Sequence, residues 1–196
     1  GAIVTWYDYD IYAQHVLASG VVDPTWPANG STVCAADAPQ EDPTISTDGA
    51  GGAIIAWKDS RGTGFPYPFL AIYAQHVLTS GVMDSEWPID GRALCTIAPG
   101  QGGPTIAPDG AGGAVIAWQD NRNGYSDIYA QHVLASGVVD PIWPADGRAV
   151  CTAANYQVGP VILADGAGGA IVAWGDQRSH WEGLGIADIY AQRVDA

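Results

Sequence analysis

Apolar residues recur along the chain in short bursts, and no segment sustains a helical spacing. Four bursts are nearly alike: GAIVTW (1–6), GAIIAW (52–57), GAVIAW (113–118) and GAIVAW (169–174). Small and large apolar residues alternate in each, with β-branched residues in the middle, which predicts a buried strand. A second block follows each burst: DIYAQHVL (10–17), AIYAQHVL (71–78), DIYAQHVL (127–134) and DIYAQRVD (188–195). Ile, Ala and His alternate there with Tyr, Gln and Val, so a strand with two unlike faces is expected. RALCT (92–96) and its equivalents predict a third strand. PTIST (43–47), PTIAP (104–108) and PVILA (160–164) predict a fourth, with Pro in the first position, where no ladder donor is needed. The turn DGAGG, at 48–52, 109–113 and 165–169, joins that strand to the next burst and supplies the left-handed backbone of a tight connection.

The spacing separates frame from decoration. From the Ile of each IYAQ block to the Trp of the next burst is 46 residues in all three copies: Ile11 to Trp57, Ile72 to Trp118, Ile128 to Trp174. From each Trp forward to the next IYAQ Ile the distances are 5, 15, 10 and 15. One loop alone changes length, so it belongs on the surface, while the constant frame is packed structure. Residues 72–118 and 128–174 are identical at 32 of 47 positions, which points to tandem duplication.

Four short antiparallel strands repeated in tandem predict an all-β chain built of β-propeller blades, with repeats at about 1–41, 42–102, 103–158 and 159–196. A single blade cannot bury both faces, and stacked blades can, with the recurrent Trp and Tyr between them. A β-solenoid is the rival, but its coils are usually shorter and lack this hairpin punctuation. Four central hairpins and three connectors make fourteen strands, or three and a half blades. The first blade lacks its leading strand and the last its trailing one. Either the chain is part of a longer array, or another copy completes the open edges, which yields a filament when the contact is head-to-tail and does not close.

The pattern DGAGGAxxAWxDxR…DIYAQxV…SGxxxxxWPxxGxxxC resembles the tandem repeats of large secreted bacterial β-propeller proteins, and it covers nearly the whole chain. The resemblance implies the blade architecture and an extracellular or cell-surface location, and it is not specific for activity. Acidic charge, a single Lys and tandem duplication suit an exposed scaffold or adhesion module. It implies no cofactor.

Charge narrows the partners. Twenty-one acidic against seven basic side chains give a net charge of −14, which repels phosphate backbones and anionic lipid, so no nucleic-acid partner is expected. No apolar run approaches a membrane span, so no membrane insertion is expected either.

The recurring polar residues admit a structural and a chemical reading. Cys34, Cys95 and Cys151 occupy one position per connector. An odd number at equivalent sites argues against an internal disulfide framework and for small buried side chains, with an intermolecular disulfide as the alternative. His15, His76 and His132 share a position that carries Arg193 in the fourth copy. An Arg cannot ligate a metal, so no metal site is expected, and the swap suits a solvated strand face. Asp59, Asp120 and Asp176 follow the strand Trp by two, with Arg61, Arg122 and Arg178 two further on. A glycosidase acid pair is normally unique in a chain, whereas these acids repeat, which favours an Asp that binds turn backbone N–H groups, with the Arg bridging to a neighbouring Asp. No catalytic residue is therefore assigned.

The variable loops are the candidate binding surface. Phe65, Tyr67, Phe69, Tyr125, His180 and Trp181 stand in their tips, and exposed aromatics there would suit stacking on sugar rings or anchoring a protein. Asn29, in Asn29-Gly30-Ser31, is the one candidate glycosylation site. The expected function is a non-catalytic extracellular scaffold that associates with itself, a protein or a glycan, with self-assembly into a surface filament through its open blade edges. The alternative is a glycan-binding or glycan-active propeller that uses these loops.

Overall fold

A computed structural model describes residues 1–61, 70–97, 100–179 and 187–195. Among the described residues all regular structure is β, in fourteen strands and no helix. They form four separate antiparallel sheets. Sheet 1 has β1 (Ala2–Asp8), β2 (Asp10–Val16) and β3 (Ser31–Cys34). Sheet 2 has β4 (Gln40–Thr47), β5 (Ala53–Asp59), β6 (Ala71–Val77) and β7 (Arg92–Cys95). Sheet 3 has β8 (Gln101–Pro108), β9 (Ala114–Asp120), β10 (Asp127–Val133) and β11 (Arg148–Cys151). Sheet 4 has β12 (Gln157–Ala164), β13 (Ala170–Asp176) and β14 (Asp188–Val194). Within each sheet the strands lie in sequence order. The four sheets are open, and they do not close into a ring.

The central hairpins keep one register. Trp6 stands opposite Tyr12, Trp57 opposite Tyr73, Trp118 opposite Tyr129 and Trp174 opposite Tyr190. Because side chains alternate across a strand, each hairpin shows one apolar face backward and one forward along the chain of sheets. Three cores result, one per seam. Ile11, Ala13 and Val33 of sheet 1 meet Ala53, Ile55 and Trp57 of sheet 2. Ile54, Ala56 and Ile72 of sheet 2 meet Ala114, Ile116 and Trp118 of sheet 3. Val115, Ala117 and Ile128 of sheet 3 meet Ala170, Val172 and Trp174 of sheet 4. Trp57 and Trp118 are wholly buried, and each is worth a few kcal/mol on the scale of about 25 cal/mol per Å² of apolar surface removed from water.

Two details differ from the sequence reading. The leading strands start three residues ahead of their prolines and two ahead of the expected repeat boundaries, at Gln40, Gln101 and Gln157. Their first backbone N–H groups bond the preceding hairpin loop, Gln40 to the Tyr9 carbonyl (3.0 Å) and Gln101 to that of Leu70 (2.8 Å). Pro43, Pro104 and Pro160 instead sit at the register shifts in these strands. A bulge is the other place where a residue without an N–H costs no ladder bond.

The connectors also pack, which the strand pattern did not anticipate. Each turns back on its own sheet, as in the Val16–Val22 bridge, and then lays a Trp on the next one. Trp26 donates its indole N–H to the Thr79 carbonyl in the turn beyond β6, and Trp87 to that of Ala135 beyond β10, both at 3.1 Å. Gly81 and Gly137 lie under these rings with φ of +80° and +73°, and a Cβ on either would stand 2.7 Å from the indole.

Candidate functional site

The repeated Asp and Arg build one cluster at each seam. Asp120 is wholly buried at the end of β9. Its Oδ2 accepts from the Trp118 indole N–H (2.9 Å) and its Oδ1 from the Arg122 backbone N–H (3.0 Å). The Arg122 guanidinium forks onto the same carboxylate, Nε to Oδ1 at 2.8 Å and Nη2 to Oδ2 at 2.5 Å. Nη2 also donates to the Asp146 carbonyl at 2.7 Å and to the Sγ of Cys95, on the preceding sheet, at 3.2 Å. The guanidinium lies 3.9 Å from the centre of the Tyr129 ring, a cation–π contact. Asp59, Arg61, Trp57 and Cys34 repeat this set at the first seam, and Asp176, Arg178, Trp174 and Cys151 at the third. Arg therefore grips its own sheet's Asp and a neighbour's Cys, where the sequence reading had it bridging to a second Asp.

The electrostatics follow from burial and the fork. Burial pushes the Cys34 thiol up to about 11 and the Cys95 thiol to about 12. All three cysteines are free. Burial acts upward on Asp176 too, but the hydrogen bonds from Arg178 and the Trp174 indole outweigh it and hold this carboxyl well below its usual range.

The histidines overturn the solvated-face reading. His76 and His132 are buried, each between two carboxylates. His76 meets Asp84 through Nδ1 (2.9 Å) and Asp48 through Nε2 (3.0 Å). His132 meets Asp140 and Asp109 at the same distances. His15 holds Asp23 at 2.8 Å. Arg193 pairs with Asp165, the counterpart of Asp48. The fourth copy thus keeps a nitrogen donor toward that Asp, and the shared partner accounts for the swap. Asp48 also caps the DGAGG turn, accepting from the N–H groups of Ala50 (2.7 Å) and Gly52 (2.9 Å). With both ring nitrogens of His76 and His132 held by carboxylates, neither is left to activate a nucleophile or ligate a metal. Among the described residues no group of three His, Cys, Asp or Glu is arranged to hold a metal ion.

The loop candidates fare unevenly. Phe65, Tyr67, Phe69, His180 and Trp181 lie outside the described residues. Tyr125 is about half exposed and meets Tyr156 edge-on, ring centres 5.2 Å apart. Beside it, Asn123 donates to Asp127 at 2.7 Å. Burial raises the Asp127 carboxyl, the Asn123 bond opposes this, and the charge of Asp120 adds to it. Asn29 is exposed in the connector turn. Two grooves lie at the seams, one of about 490 Å³ along Ile3, His15, Ile45 and Thr79, the other along Asp48, His76, Asp84 and Glu86.

No family model matches the chain, and no curated protein matches it. Among solved structures it is similar to a candidate glycosidase from Bacteroides thetaiotaomicron VPI-5482, at 14% identity and a TM-score of 0.44. The match covers 96% of this chain and 66% of that one, so the chain spans just under two thirds of that protein's length. A likeness at this level carries no argument about activity.

Proposed function

We propose that the four sheets are consecutive blades of a propeller-type array, and that the chain is a non-catalytic extracellular scaffold that associates with itself. One observation carries this reading: the repeated chemical groups are used up in holding sheet to sheet. Asp59, Asp120 and Asp176 are wholly buried, and each places both oxygens on its own Trp and Arg. The Arg then reaches the Cys of the sheet before. An acid or nucleophile must meet a substrate, and these groups meet one another. The extracellular assignment is supported by the resemblance of the repeat to those of secreted propeller proteins.

The exposed Tyr125–Tyr156 pair favours a second reading, a glycan-binding face on the variable loops. Titration of the chain against a panel of soluble polysaccharides and chromogenic glycosides separates the two. The scaffold reading expects no saturable binding and no hydrolysis. A sugar interaction that disappears in Tyr125→Ala or Trp181→Ala would overturn it.

A further inference from the structure

The internal seams are made by fixed sets of positions. Ile54, Ala56, Ile72 and Ala74 of sheet 2 face forward, onto Ala114, Ile116 and Trp118 of sheet 3. On sheet 4 the forward positions are Ile171, Ala173, Ile189 and Ala191, the same residue types in the same register. Among the described residues no sheet covers them there, and Ile171 is 44% and Ile189 79% exposed. On sheet 1 the backward positions are Ala2, Val4 and Trp6, in the places of Ala114, Ile116 and Trp118. Val4 is 43% and Trp6 36% exposed.

The exposed forward face is also more apolar than its internal counterparts. Ile106 packs toward sheet 2 and Ile162 toward sheet 3, so their strand neighbours face forward. Those neighbours are Thr105 and Ala107 on sheet 3, and Thr44 and Ser46 at the same positions of sheet 2. On sheet 4 they are Val161 and Leu163, 62% and 71% exposed. Substitution toward larger apolar residues on a face turned to water is the reverse of what a solvated surface favours, and a contiguous patch of this kind marks an interaction surface.

We infer that the forward face of sheet 4 receives the backward face of sheet 1 from a second copy of this chain, head to tail, in the register of the internal seams. The inference rests on the scaffold reading and adds to it the surface and the polarity of association. Continuity with three existing seams selects the occupant, because the central hairpins of the two faces carry the residue types that meet at those seams. The seam between copies lacks parts of the internal ones: sheet 1 has no leading strand, and sheet 4 has no fourth strand and no connector Trp or Cys. Sheet 1 also carries the hairpin Asp8–Tyr9–Asp10 in place of the Asp–Arg clamp, so apolar contact between the central hairpins holds it, and salt, by screening the −14 charge of each copy, should strengthen association.

The test uses Val4→Arg and Ile189→Arg, both at exposed positions, with retention of fold checked by circular dichroism melting. Solution mass is measured by light scattering over a concentration series. The wild-type chain should rise from one chain mass to two or more. Each variant alone should stay at one, since each keeps only one of two unlike faces. An equimolar mixture of the variants should recover a two-chain species and stop there. The inference is wrong if the wild-type chain stays at one chain mass throughout, if either variant alone associates as wild type does, or if the mixture stays monomeric. Sugar binding lost in Tyr125→Ala would remove the scaffold reading and leave these masses to decide the seam.

Discussion

Arg122 reaches across a sheet boundary to Cys95. Its Nη2 lies 3.2 Å from the sulfur while it holds Asp120, on its own sheet, at 2.5 Å. The contact joins three sequence features that are far apart or unlike in chemistry into a single fastener, and it recurs at each seam. Its consequence is that charge, not only apolar area, sets how one repeat docks on the next.

Removing the guanidinium should therefore be costly. Arg122→Ala leaves the Asp120 carboxylate buried without its counter-ion, and breaking such a pair costs about 3–5 kcal/mol. Arg122→Lys keeps the charge but loses the fork and should fall between. Urea unfolding midpoints check this, and an unchanged midpoint in Arg122→Ala would contradict it.

Two glycines with similar backbones separate strain from packing. Gly110 (φ +79°) has open space where a Cβ would go, while at Gly137 (φ +73°) a Cβ would stand 2.7 Å from the Trp87 ring. Gly110→Ala should cost about 1–2 kcal/mol for left-handed backbone alone. Gly137→Ala should cost about 1–3 kcal/mol more, because the indole must move off its seam. Equal losses in the two variants would show that the Trp87 contact is not tight.

Acid should loosen the His–Asp contacts. The Glu86 backbone N–H holds Asp84 low, and the Ile142 N–H does so for Asp140, with His76 and His132 adding against burial. The Thr25 hydroxyl and N–H, then His15, bring Asp23 down to about 2. A carboxyl whose pKa is lowered by folding stabilises the fold above its unfolded value, and that contribution is lost as pH falls through the folded value. Stability should hold at neutral pH and drop below about pH 4, where unfolded carboxylates begin to protonate. For Asp23 the loss runs from about 4 to about 2, and Asp23→Asn should shallow the slope measured by urea melts across that range. A slope unaltered by the substitution would count against the assignment.

The thiols should be sluggish. With its pKa at about 11, Cys34 carries roughly a hundredfold less thiolate at neutral pH than an ordinary cysteine, and Cys95 less still. Cys151, only partly buried, should react first with an aromatic disulfide reagent under native conditions, and all three should react on unfolding. Rapid native labelling of Cys95 would contradict the clamp as described.

The strands were legible because their signal is local. Alternation in GAIIAW and IYAQHVL marks two faces, whereas the pairing of Trp57 with Tyr73 shows only in the folded hairpin. The prolines were misplaced because a bulge and a strand start look alike in sequence, as both dispense with an N–H. His76 was misjudged for a different reason. Its partners Asp48 and Asp84 lie 28 and 8 residues away, and only the folded turn brings both to one ring. The reach of Trp87 to Ala135 is likewise a property of stacking, invisible to periodicity within one repeat. Of the loop aromatics, Tyr125 alone is placed, because the others lie outside the described residues.

A scaffold whose outer faces continue its inner seams should assemble from the wild-type chain alone. Negative-stain electron microscopy of that chain beside Val4→Arg should show particles holding two or more copies for wild type, as rings or filaments with a repeat of one four-sheet unit, and single-copy particles for the variant. Uniform single-copy particles of wild type at every concentration would contradict it.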